Sequence, residues 1–162
     1  MKQFRKYSEE HNTILLDAQY LFAYCFSDGF SRRSLSADFL VNYNYNYVLE
    51  LNAFDHQKIT KNNSDCYIEK GILKGRILEL IENLLASDFN TLQQEYKEEN
   101  FAICDIGSQQ FFINLDSITK YIHITDGLPV DYFKSSTEKK LYKLNKYFKA
   151  LIETRYNNWI IQ

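Results

Sequence analysis

Between residues 38 and 52 the chain alternates with a period of two. Val41, Tyr43, Tyr45, Tyr47, Leu49 and Leu51 interleave with Asn42, Asn44, Asn46, Glu50 and Asn52. A strand points successive side chains to opposite faces, whereas a helix scatters such a set around its circumference. The segment therefore predicts a strand with one dry face and one wet face, as in a sheet covered by helices on one side. One straight strand over residues 39–51 would measure about 43 Å at about 3.3 Å per residue. A bulge is expected at Val48, where the alternation slips.

The flanking segments predict helices and further strands. Ile14, Leu15, Ala18, Leu21, Phe22, Cys25 and Phe26 fit a helical period over residues 8–27, followed by a polar loop over residues 31–36. A second helix is expected from a cap at Ser64 or Asp65 to about Ala86, with Leu73, Ile77, Leu80, Ile81 and Leu84 facing inward. Gly71 and Gly75 imply close packing within it, or a later start near Ile72. A short helix over residues 90–99 follows, then strands at 101–106 and 110–115 joined by Gly107-Ser108-Gln109, and one at 120–125. Asp126-Gly127-Leu128-Pro129 reads as a loop. Ser135 and Glu138 form a capping box for a last helix reaching about Asn157, with Leu141, Leu144, Phe148, Leu151, Ile152 and Trp159 on its apolar face. This order predicts one α+β domain over residues 1–162. Its antiparallel or mixed sheet has four or five strands, helices mainly on one face and a long amphipathic C-terminal helix.

Composition narrows the class. Hydrophobic content of 45% and charged content of 25% are globular averages. Cys25, Cys66 and Cys104 are odd in number and widely spaced, which points to reduced thiols in a cytoplasmic protein rather than a disulfide framework or zinc site. No apolar run approaches the roughly 20 residues of a membrane span. The charged first ten residues lack the apolar centre of a signal peptide. Abundant Lys, Asn, Ile, Tyr and Phe match the coding of an AT-rich bacterial genome.

Catalytic patterns fail on inspection. Gly71-Ile72-Leu73-Lys74-Gly75-Arg76 has three residues between its glycines, where a phosphate loop has four followed by Lys and Ser or Thr. Gly29, Ser31 and Asp38 suggest a nucleotidyltransferase turn, but Leu40 stands where the second metal-binding carboxylate belongs. His11, His56 and His123 have no partner at metal-ligand spacing. Cys104, Cys25 and His56 could meet only in space. Neither an enzyme, a cofactor nor a metal is expected.

Charge is distributed unevenly. Residues 134–155 hold Lys134, Lys139, Lys140, Lys143, Lys146, Lys149 and Arg155 against Glu138 and Glu153, a surplus of +5 in a chain of net charge −2. Lys139, Lys143 and Lys146 line up opposite Leu144, Phe148 and Leu151 on a helical projection, a stripe able to track phosphates. Asp88, Glu95, Glu98, Glu99 and Asp105 face Lys97 alone, a local −4 able to steer a basic partner. The expected function is protein recognition through Asn42, Asn44, Asn46, Glu95, Glu98, Glu99 and Asp105. By analogy of size and charge, the partner would be a basic toxin domain neutralised as immunity proteins do. The alternative is nucleic-acid binding or regulation through the basic C-terminal helix.

Overall fold

The computed structural model describes residues 4–29, 33–55, 64–98 and 106–161. Seven strands form one mixed sheet: β3 (Tyr20–Gly29), β4 (Arg33–Asn42), β5 (Asn46–Asp55), β6 (Ser64–Ile72), β7 (Glu95–Tyr96), β8 (Ile106–Leu115) and β9 (Ile118–Thr125). Their spatial order is β6-β5-β4-β3-β8-β9-β7. Every pairing is antiparallel except that of β7 with β9. A separate hairpin joins β1 (Arg5–Ser8) and β2 (Thr13–Leu16). Two α-helices complete the described fold, α1 (Arg76–Leu85) and the long α2 (Ser136–Ile161). The fold class is α+β, with seven strands in the main sheet rather than four or five.

The main core lies between one face of the sheet and the two helices. Leu141, Leu144, Phe148 and Ile152 of α2 are fully buried there, as are Ile81 and Leu84 of α1. Phe148 stacks on Tyr24 (4.4 Å, 10°) and Phe22 (5.9 Å, 14°) and meets Phe39 edge-on (5.0 Å, 61°). The predicted capping box is present. Glu138 N–H donates to Ser135 Oγ (3.1 Å), and Ser135 N–H donates to Glu138 Oε2 (2.7 Å). A smaller cluster on the opposite face joins Phe4 and Leu16 from the hairpin region to Ala23, Cys25, Leu40 and Phe112.

That second cluster explains why the predicted helix over residues 8–27 is instead β2 and β3. Residues 21–26 are all buried, with Phe22, Tyr24 and Phe26 toward the helices and Ala23 and Cys25 toward the hairpin. A strand covered on both faces has no polar side, so its alternation vanishes and its apolar spacing mimics a helix.

Other expectations move for equally local reasons. Residues 38–52 form two strands and the turn between them: β4 ends at Asn42 and β5 begins at Asn46, with Tyr45 in the left-handed region (φ 57°). Asn42 Oδ1 accepts from the backbone N–H of Asn44 (2.9 Å) and Asn46 (3.0 Å), so its amide oxygen builds the turn. The β4–β5 register runs unbroken past Val48, and the only shift in the sheet's described pairings falls between Tyr20 and Phe22. Residues 64–72 are strand, and the expected helix starts only at Arg76, after Gly75 at φ 63°. The expected helix at 90–99 is a 3₁₀ turn (Phe89–Thr91) leading into β7. Gly107-Ser108-Gln109 lies inside β8, where a Cβ on Gly107 would stand 2.4 Å from the Ser27 carbonyl oxygen. The actual turn there is Asp116-Ser117 (φ 49° and 66°), the positive pair that a two-residue hairpin requires.

Candidate functional site

The hairpin divides the sheet's back face. β2 packs on β8, β9 and β3, and at the β5 and β6 end of that face the described side chains of Cys66, Ile68, Lys70 and Ile72 are exposed. Register places the open rows. Glu50 stands between Asp38 and Ile68, Val48 between Leu40 and Lys70, Asn52 between Ser36 and Cys66, and Asn46 faces Ile72. Ile68 is 57% exposed and Ile72 66% exposed. Two large β-branched apolar side chains thus stand on β6, the outermost strand of the described sheet, bordered by Asn46, Glu50 and Lys70.

The row through Asp38 is electrostatically uneven. Asp38 and Glu50 are directly opposed across β4 and β5, an unfavourable placement for like charges. Burial raises the Asp38 pKa; Glu50 adds to the rise, while a hydrogen bond with Cys25 and the Arg5 guanidinium oppose it. Arg5 Nη1 donates to Gln110 Oε1 (2.6 Å), and Asn52 Nδ2 donates to Glu50 Oε1 (3.1 Å). Burial, followed by the charge of Asp38, pushes the Cys25 thiol well up, which disarms it as a nucleophile. Exposed Cys66 is also raised, by desolvation and the Glu50 charge.

The residues expected to bind a partner fall on two separate surfaces. Asn44 and Asn46 are exposed at the β4–β5 turn, and Asn46 adjoins Ile72. Glu95 and Glu98 lie at the far edge of the sheet beside β7, five strand spacings from β5, or about 24 Å. There they line a groove of about 690 Å³ with Asp131, Tyr132 and Lys134. Glu95 already pairs with Lys97 (2.7 Å) and stands 3.9 Å from His123 Nδ1. Burial lowers the His123 pKa against the pull of Glu95. Glu99, Asp105, Cys104 and His56 lie outside the described residues.

The basic helix is narrower in space than in sequence. Lys149 pairs with Asp126, and Arg155 pairs with Glu69 (Nε to Oε2, 2.7 Å). Lys140 Nζ donates to the Asn83 carbonyl (3.2 Å). Lys139, Lys143 and Lys146 are exposed, with Lys146 5.9 Å from the Tyr142 ring centroid.

Ile68 and Ile72 escape sequence reasoning because residues 64–72 also fit the start of a helix. Their signal is the run Cys66, Tyr67, Ile68 with Ile72 beyond Gly71, whose aromatic and β-branched members favour strand. Among the described residues no group of three His, Cys, Asp or Glu side chains is placed to hold a metal ion. No described helix is long and apolar enough to cross a membrane. No protein-family model matches the chain, and no curated protein matches its sequence.

Proposed function

We propose that this chain is a protein-binding module without catalytic activity that docks through the open back face of β4, β5 and β6. The carrying observation is the pair of exposed isoleucines, Ile68 and Ile72, on the outermost strand beside Asn46, Glu50 and Lys70. The two isoleucines stand on either side of Lys70 on the same face, and exposed apolar side chains of this kind serve as anchors that, once desolvated, carry most of the affinity of a protein interface. The opposed Asp38 and Glu50 favour a partner that brings a lysine or arginine, and such complementarity acts chiefly on specificity and association rate. A basic toxin domain, held by this chain as an inhibitor in the bacterial cytoplasm, is the partner class proposed.

The test is capture from the native host with the wild-type chain and with Ile68→Asp/Ile72→Asp, followed by titration of the isolated partner. Wild type recovers a stoichiometric, basic protein that the double variant loses while keeping its wild-type melting temperature. Recovery of no stoichiometric protein, or of one indifferent to both isoleucines, overturns the reading.

A second reading rests on the exposure of Lys139, Lys143 and Lys146, which leaves three cations free to track phosphates. It requires salt-sensitive DNA or RNA binding that weakens when all three become alanine. Binding indifferent to those substitutions removes it.

A further inference from the structure

Gln109 of β8 and Asn145 of α2 meet between the sheet and the helix, where they are only 1% and 6% exposed. Asn145 Nδ2 donates to Gln109 Oε1 (3.3 Å), and Gln109 Nε2 donates to Asp126 Oδ1 (3.1 Å). Tyr24 Oη donates to Asn145 Oδ1 (2.9 Å). Each carboxamide oxygen therefore has a donor, and each carboxamide nitrogen has engaged one of its two protons. The second proton of each has no acceptor among the described residues. A buried N–H without an acceptor is rarer than a buried carbonyl that uses one of its two lone pairs, so these two protons call for a partner.

Both side chains line a cavity of about 430 Å³ between α2 and the loop Asp126-Gly127-Leu128. Bond lengths of about 1.23 and 1.33 Å put the oxygen and nitrogen of one carboxamide about 2.2 Å apart. Added to the 3.3 Å bond between the two side chains, this holds their nitrogens within about 5.5 Å of each other. One oxygen accepting two bonds of about 2.9 Å spans up to about 5.8 Å, so a single acceptor can bridge both. Ile124, Leu128, Phe133 and Tyr142 give the cavity apolar walls. Its charged lining groups balance, Asp126 and Glu153 against Lys146 and Lys149, and Asp126 pairs directly with Lys149.

From two buried amide donors within reach of one oxygen, set among apolar walls with no net charge, we infer that the cavity is a binding site for a small neutral molecule carrying a carbonyl oxygen. The carbonyl accepts from Gln109 and Asn145, and the apolar body lies against Leu128 and Phe133. A mostly apolar pocket of roughly 300–1,000 Å³ with a few placed polar groups is the usual form of a small-molecule site. Balanced charge disfavours a carboxylate in the same place. The site lies on the helix side of the sheet, opposite the back face of β4 to β6, and stands independently of the proposed docking function.

The experiment follows the side-chain amide resonances of Gln109 and Asn145 in the full chain during titration with acetophenone. Ethylbenzene, of similar shape without the carbonyl, and benzoate, of similar shape with a charge, are titrated separately. The expected result is saturable shifts of both amide groups with acetophenone, and apparent affinity at least about tenfold weaker for each control. Gln109→Met keeps the volume and removes one donor, and it should weaken acetophenone by at least about fivefold. Shifts that fail to saturate, that ethylbenzene or benzoate reproduces at equal concentration, or that persist unchanged at Asn145 in Gln109→Met overturn the site and leave the two protons to water alone. Should Gln109→Met fail to fold, Ala150→Trp, at an exposed position lining the cavity, takes its place: weakened saturation supports the site, and unchanged saturation overturns it.

Discussion

At the scale of single residues, the contact between Tyr47 and Gly71 ties a side chain of β5 to the backbone of β6. The Tyr47 ring stacks on Phe39 (5.0 Å, 13°), and its hydroxyl donates to Glu69 Oε1 (2.6 Å). Glu69 also accepts from Tyr67 Oη (2.9 Å) and from Arg155 Nε (2.7 Å), so the ring is held at both ends. A Cβ on Gly71 would fall 2.8 Å from Tyr47 Cε1. Gly71→Ala is therefore expected to displace the ring and cost about 1–3 kcal/mol in urea unfolding. In a Tyr47→Ala background the obstacle is gone, and alanine regains the roughly 0.5–1 kcal/mol that glycine forfeits inside a strand. The double-mutant cycle should show strong coupling. Equal costs in both backgrounds would show that the ring does not require a glycine there. The same residue scale governs the docking face: Ile68→Asp and Ile72→Asp leave side chains in solvent, so a melting temperature within a few degrees of wild type is expected alongside lost binding.

At the scale of elements, the C-terminal helix is the part most legible in the sequence, because its start is written in local chemistry. Ser135→Ala removes the acceptor for the Glu138 N–H and is expected to cost about 1 kcal/mol by urea melts, with far-UV helicity retained. No change on that substitution would mean that the box contributes nothing beyond the packed helix. Elements whose identity depends on what covers them are not legible in this way. β3 reads as a helix because two layers bury it, and the second layer is the β1–β2 hairpin region, whose Phe4 and Leu16 cover Ala23 and Cys25. β6 reads as a helix because its glycine serves a side-chain contact, whereas sequence alone attributes Gly71 to helix packing. Conversely, the Tyr/Asn pattern correctly places Tyr47, Leu49 and Leu51 on the core side and Glu50 and Asn52 on the other, since those residues do lie in one strand. It fails at residues 43–45, where a turn and a strand share the same polar composition. The candidate site is legible only in part: Asn46 lies on the open face, but its isoleucine neighbours come from a strand whose sequence also suits a helix.

At the scale of the whole molecule, α2 is fastened to the sheet and loops by carboxylates at three levels. Near its start, Glu138 accepts from the Lys134 and Ser135 N–H groups and from Tyr96 Oη. In its middle, Lys149 pairs with Asp126, which also accepts from Gln109 Nε2 (3.1 Å). Gln109 in turn accepts from Asn145, and Asn145 from Tyr24 Oη, a polar chain running from the surface into the core. Toward its end, Arg155 holds Glu69. Burial pushes each of these three carboxyl pKa values up, but the hydrogen bonds and neighbouring cations outweigh it, and all three lie below their ordinary values. The sign follows by linkage. A carboxylate with a depressed folded pKa stabilises the fold above its unfolded value, near pH 4, and that contribution disappears as pH falls through the folded value. Asp38, whose pKa is raised, runs the other way: its protonation relieves the opposed Glu50. Three against one, stability should decline on acidification below about pH 4. Trp159, the only tryptophan of the chain, sits on α2 with its ring 5.9 Å from Tyr67, so its fluorescence reports undocking. Because Leu144 and Phe148 of the same helix fill the main core, loss of that signal should coincide with loss of the far-UV signal of the sheet. Glu69→Gln and Asp126→Asn should each flatten the acid limb of the urea midpoint against pH, and Asp38→Asn should steepen it. A midpoint that stays level or rises between pH 6 and pH 3 would show that these three attachments do not set the acid stability of the fold.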